Sequence, residues 1–116
     1  MISAGQGKYK VWLKEERLDN GFVLIIGGGE VSHIGSVVLA EPKISTRKRI
    51  SCTFRIINVK GHKEEKIARA FAKKFCLQRK KPVLCTCGIH VNDATKKEIK
   101  ILVDNAEKLL KKVTGE

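Results

Sequence analysis

From Lys8 to Leu18, apolar Tyr9, Val11 and Leu13 alternate with Lys8, Lys10, Trp12 and Lys14. That period of two predicts a first strand with one wet face. Asp19-Asn20-Gly21 predicts a tight turn, because Asn-Gly readily supplies the positive φ values of hairpins. Phe22 to Ile26 is apolar throughout and predicts a second, central strand, which the three glycines Gly27 to Gly29 are expected to end. Ile34 to Ala40 predicts a third strand, stopped by Glu41-Pro42, with a basic loop from Lys43 to Arg49. From Ile50 to Val59 the alternation is clean: Ile50, Cys52, Phe54 and Ile56 face one way, Ser51, Thr53 and Arg55 the other. A half-exposed antiparallel strand has that pattern.

The period then changes. Ile67, Ala68, Phe71, Ala72 and Phe75 recur at helical spacing and predict a helix over His62 to Arg79, ended by Lys80-Lys81-Pro82. Val83 to Val91 predicts a fifth strand. Thr95 and Glu98 stand at the spacing of a capping box. They open a last helix, to about Val113, whose stripe is Ile99, Leu102, Val103, Ala106, Leu109 and Leu110. Residues 1–7 are small and polar and are expected to be frayed. The order β-β-β-β-α-β-α predicts an α+β domain spanning 1–116, with a mostly antiparallel sheet and both helices on one face.

Composition adds limits. A chain of 116 residues suits one core. The longest apolar run, Phe22 to Ile26, is far shorter than the roughly 20 residues of a membrane-spanning helix. Met1 to Tyr9 lacks an apolar segment of signal-peptide length, so a cytoplasmic protein with no membrane partner is expected. Cys52, Cys76, Cys85 and Cys87 form no paired Cys-x-x-Cys knuckles. They read as reduced, buried cysteines acting as small hydrophobes. The net charge of +12 raises the question of a polyanionic partner. Its lysine, isoleucine and valine content is compatible with a thermophile.

The candidate chemistry gathers at Cys87 to Glu98. Here a strand delivers His90 to its end, Asn92-Asp93 breaks it, and a helix N-terminus with backbone N–H groups follows. The other two histidines sit at similar junctions: His33 after Gly27-Gly28-Gly29-Glu30, and His62 after Gly61 at the other helix start. If those ends meet at one edge of the sheet, His33, His62 and His90 converge. A divalent metal could then be bound, with Asp93, Glu30 and Glu64 near in sequence to complete or orient the set. The alternative is three separate loop histidines bonded to backbone. Gly28, Gly29 and Gly61-His62-Lys63 could cradle a phosphate; for the triglycine alone, plain turn chemistry is the favoured reading.

Cys87 and His90 are three apart in a strand pattern and point to opposite faces, which argues against a nucleophile pair made from those two. No nucleophile elbow and no phosphate-binding Gly-Lys-Ser/Thr loop occurs. Lys43, Arg47, Lys48, Arg49 and the helix lysines would serve a nucleic-acid module. Tyr9 and Trp12 alone offer stacking surface, and the helix lysines lie opposite the apolar stripes, as solvated faces do.

Three motifs together resemble a known family. They are Gly28-Gly29-Glu30-Val31-Ser32-His33-Ile34-Gly35-Ser36-Val37, Gly61-His62-Lys63-Glu64-Glu65, and Gly88-Ile89-His90-Val91-Asn92-Asp93-Ala94-Thr95. They are similar to the small prenylated-flavin chaperones, LpdD-like, that accompany UbiD-type decarboxylases, and cover about Gly27 to Asn105. The resemblance implies a compact α+β fold like that of small proteasome-assembly chaperones, and a homodimer. It also implies a non-enzymatic role: holding prenylated flavin mononucleotide, with a divalent metal, and passing it to a UbiD-type decarboxylase. By position, His33, His62 and His90 match the family's histidines, with Asp93 and Glu30 beside them. Here Asn92 precedes Asp93, the reverse of the expected acid-then-amide order. Trp12 or Phe22 would supply a flat wall for the ring. The competing readings are a metal-dependent lyase or hydrolase built on the same histidines, and a basic nucleic-acid-binding module.

Overall fold

The computed structural model describes residues 1–59 and 64–115. The elements run β1 (Ile2–Ala4), β2 (Val11–Leu18), β3 (Gly21–Gly29), β4 (Val31–Ile44), β5 (Ile50–Asn58), α1 (Glu65–Arg79), β6 (Val83–His90) and α2 (Lys96–Thr114), with a 3-10 turn at Gly7–Tyr9. One six-stranded sheet holds them in the order β1-β2-β3-β6-β4-β5. Among the described residues, β3 and β6 pair in parallel and the other strand pairs are antiparallel.

The alternation read in the sequence sets the two faces. Val11, Leu13, Leu24, Ile26, Val38, Ala40, Val83, Cys85 and Cys87 are all buried on one side of the sheet. They meet Ala68, Phe71, Ala72, Phe75 and Cys76 of α1 and Leu102, Ala106 and Leu109 of α2. Both helices therefore cover the same face, as expected. Asn105, a polar residue in α2, is also buried; its side-chain amide donates to the Tyr9 carbonyl at 2.8 Å, which satisfies it. No helix among the described residues is long and apolar enough to cross a membrane.

Four features differ from the sequence reading. The segment expected to be frayed contains β1, which pairs Ile2 with Leu13 and Ala4 with Val11. Lys112 donates to the Ser3 carbonyl at 3.0 Å, so α2 helps hold this edge. The turn at Asp19-Asn20 uses no positive φ at Asn20 or Gly21. Gly21 is needed instead because a Cβ there would overlap the Pro82 carbonyl, the acceptor for Phe22 N–H at 3.0 Å. The triglycine does not end β3. Gly27 underlies the Trp12 ring, Gly28 the Lys10 carbonyl and Gly29 the His90 backbone, each where a Cβ would stand. Finally, β4 runs through Pro42, which pairs with Cys52. The ladder to β6 ends at Ala40, so β4 has one neighbour there and a residue without an N–H is tolerated.

Helix ends follow local chemistry. Thr95 caps α2 with both arms of the capping box, Glu98 N–H to Thr95 Oγ1 and Thr95 N–H to Glu98 Oε1, each 3.1 Å. Gly115 closes it in the left-handed conformation. Lys80 does the same for α1.

Candidate functional site

The site begins with a mismatch between β4 and β6. Ser32 pairs with Ile89 and Ser36 with Cys87, so His33, Ile34 and Gly35 stand opposite Gly88 alone. The surplus bulges outward, as extra residues in a ladder must. It carries the His33 carbonyl over Gly88, into the space a Cβ would fill. Gly35 is needed for a similar reason: a Cβ there would sit 2.5 Å from Glu64 Oε2. The two glycines thus let the bulge lie down and let a carboxylate come in behind it.

Glu64 is that carboxylate. It occupies the N-cap position of α1, yet makes no side-chain cap. Its Oε1 lies 3.1 Å from His33 Nε2, with 19% of the histidine side chain and 12% of the glutamate side chain exposed. This orients the imidazole, Nε2–H toward the carboxylate, and leaves Nδ1 at 3.5 Å from the Val31 carbonyl. That distance is at the limit of a hydrogen bond.

His90 ends β6 beside it. The two rings are 6.0 Å apart, edge to face at 84°, and His90 Nε2 lies 3.0 Å from Asn92 Oδ1. The backbone at His90 is straddled. Gly29 of β3 and Val31 of β4 both take it as register partner, and Glu30 N–H donates to its carbonyl at 2.7 Å. Glu30 Oε1 in turn accepts from Asn92 N–H at 2.8 Å. Glu30 therefore braces the His90 turn, and Asp93 follows in a left-handed conformation, φ 49°.

Behind these residues is a cleft of about 390 Å³ between the starts of α1 and α2, within the size range of small-molecule sites. Its walls are apolar: Ile67, Ile89, Ile99, Leu102 and Val103. Its polar edge is Glu64, His90 and Asp93. Ile99 and Val103 belong to the apolar stripe of α2, yet they are 51% and 37% exposed because they border this opening. The sequence marks them as core; nothing local distinguishes a stripe position that meets a partner helix from one that meets a cleft.

His33 and His90, two of the three histidines in the expected cluster, lie beside each other. Asp93 lines the cleft that His90 borders. Gly28 and Gly29 are explained by packing against backbone. Gly61, His62 and Lys63 lie outside the described residues. Among the described residues no group of three His, Cys, Asp or Glu side chains stands ready to hold a metal. The histidine pair with Glu64 offers imidazole and carboxylate donors of the right chemistry for a divalent ion. Trp12 and Phe22 do not line the cleft. Trp12 lies over Gly27 on the opposite face, and Phe22 is buried between the guanidinium groups of Arg17 and Arg79, at 5.4 and 4.5 Å. The α2 N-terminus, a candidate anion site, has its capping box closed.

Cys76, Cys85 and Cys87 are buried in surroundings that favour the thiol. Burial pushes the Cys85 thiol up, and burial with the Glu64 charge holds Cys87 at about 12. Cys76 is likewise raised to about 12 by burial, with Cys52 contributing. All four are free, and the buried thiols stay protonated and inert.

A family model described as the prenylated flavin chaperone LpdD-like domain matches residues 5–116. Among solved structures, a chain from a chaperone complex for yeast 20S proteasome assembly is similar. It has a TM-score of 0.59 and 18% identity over 97% of this chain and 89% of that one. At that identity the likeness concerns the fold. No curated protein matches the chain significantly.

Proposed function

The chain belongs to the LpdD-like family of prenylated-flavin chaperones, and from that premise we propose that it carries prenylated flavin mononucleotide in the cleft between α1 and α2. The observation that carries the reading is the pairing of an apolar cleft of about 390 Å³ with His90, Glu64 and Asp93 on its edge and with His33 beside Glu64 and His90. Aliphatic walls suit a flat ring system, and a few convergent polar groups suit its heteroatoms. Ile67, Ile89 and Val103 would hold the ring. His90 and Asp93 would bond its edge, and Glu64 would keep His33 aimed at the same opening.

In this reading the protein is a carrier and not an enzyme. His33 and His90 would hold a divalent metal, which would supply positive charge for the flavin's phosphate, and from their place in the sequence His62 would add a further ligand and Lys63 a counter-charge. When bound, the prenylated flavin supplies reactivity that is used in the UbiD-type decarboxylase receiving it.

The test is titration of the purified chain with prenylated and ordinary flavin mononucleotide, with and without a chelator, following the flavin spectrum. Saturable binding is expected, weakened at least tenfold by His90→Ala, about 1.4 kcal/mol, and by Val103→Trp, which fills the cleft. Binding that ignores both variants would remove the site from this cleft. Insensitivity to chelator would remove the metal alone.

A further inference from the structure

The ladder between β4 and β6 ends at Ala40 and Val83. Beyond it β4 and β5 stay paired, from Glu41 with Thr53 to Ile44 with Ile50. At about 3.4 Å per residue they make a two-stranded arm about 14 Å long before its loop. The root rests on α1, where the Cys52 thiol donates to the Lys73 carbonyl at 3.9 Å. The tip is held by Ser45 N–H to the Arg49 carbonyl and Lys48 N–H to the Ser45 carbonyl, each 2.9 Å, and by Arg49 N–H to Ser45 Oγ at 3.2 Å.

The arm is basic. Lys43, Arg47, Lys48 and Arg49 are exposed on it, and exposed Lys80 and Lys81 stand at its root, just before Val83. No carboxylate lies between Pro42 and Ile50 or between Gln78 and Val83. Two of these lysines occupy unusual backbone. Lys48 and Lys80 are left-handed, φ 58° and 56°, a conformation that glycine adopts freely and a side chain makes costly. α2 ends on Gly115 in that conformation, whereas α1 ends on Lys80. At both positions a charge stands where the backbone favours glycine, and such local strain marks a functional surface. Amid the charges Ile44 is 68% exposed, on the same face of the arm as its partner Ile50.

We propose that this arm docks the protein on an anionic lipid surface, with Ile44 entering the headgroup boundary and the surrounding cations facing lipid phosphates. Clustered lysine and arginine beside an apolar tip hold a protein at such a surface without any segment crossing it. The absence of a spanning run in the sequence therefore does not bear on this mode. A nucleic acid would take the cations but would set Ile44 against phosphate and sugar. Trp12, the largest surface for base stacking, stands opposite Gly27 at the other end of β3. His90 ends β6, roughly 23 Å of strand from Val83, so a docked molecule turns its cleft away from the lipid.

Sedimentation of the full chain with vesicles tests this, one set of phosphatidylcholine alone and one with about a third phosphatidylglycerol. Binding is expected to the second set alone, weakening as salt rises. Lys48→Gly and Lys80→Gly should each weaken it about fivefold, the share of one cation near such a surface. Their Tm should be unchanged or raised, because glycine relaxes the backbone there. Ile44→Ser should weaken binding about tenfold and keep the far-ultraviolet spectrum. Equal binding to both vesicle sets overturns the proposal, as does no binding to the anionic set at low salt, or binding that ignores all three variants. A short DNA duplex bound through Lys48, with no vesicle binding, would also overturn it and make the arm a nucleic-acid surface. None of these readings depends on flavin binding.

Discussion

At Gly88 the His33 carbonyl occupies the place of any side chain. Gly88→Ala must therefore either move the bulge or push β4 away from β6. A loss of about 1–3 kcal/mol is expected, as for other overpacked sites, read as a fall in Tm, with flavin binding lost in parallel. The motifs around His33 and His90 were legible as motifs, because glycine beside histidine is a local signal. Their cause was not legible. The three-against-one offset at Gly88 is set by pairing between segments some fifty residues apart, and no local pattern records it. Glu64 illustrates the same limit. Its sequence position marks it as a helix-start acid; only the fold turns it toward His33. Glu98 gives a second prediction at this scale. Hydrogen bonds from Thr95 N–H and the Tyr9 hydroxyl, with Lys8 beside it, hold its carboxyl down at about 2, below its ordinary 4.5. A depressed carboxyl stabilises the fold above its unfolded value and loses that contribution as pH falls through the folded one. Tm should fall between pH about 4.5 and about 2, and Glu98→Gln should flatten that part of the profile.

Among the elements, the two helices start differently. In α2 the Thr95–Glu98 box satisfies end groups locally, which is why its start was readable within one residue. Thr95→Ala should cost about 1 kcal/mol, measured by urea unfolding at neutral pH, and should leave flavin binding intact if α2 still forms. In α1 the N-cap residue spends its carboxylate on His33 and makes no side-chain cap. Glu64→Gln keeps the shape but removes the charge. It should raise stability by less than about 1 kcal/mol or leave it unchanged, while weakening binding. A large fall in Tm with unchanged binding would show that Glu64 supports the fold and not the site. The strands were read less well than the helices. β1 has three residues and takes its stability from β2 and α2, so no pattern announces it. β3 continues through three glycines because its neighbours supply the bulk, where propensity alone predicts an end.

For the whole molecule, twelve uncompensated positive charges oppose compaction. Raising ionic strength from about 0.01 to about 0.15 M shortens the screening length from about 30 to about 8 Å. The expected result is a higher Tm, on the order of 1 kcal/mol of added stability. A lower Tm would mean that the surface ion pairs matter more than the repulsion.

The strand order carries a consequence for how the chain is made. β3 and β4 are joined by Glu30 alone, yet β6 lies between them. During synthesis the ribosome releases β1 to β5 and then α1 before the strand that unites them exists. Until Val83–His90 emerges, β1-β2-β3 and β4-β5 are separate antiparallel units, each with an inner edge unpaired. Unpaired edges invite strand addition from other chains. The last strand to be made closes both edges at once, and its final residue is His90. Completion of the sheet and arrival of the second imidazole at His33 are one event, and the cleft beside them waits for α2, whose Ile99, Leu102 and Val103 line it.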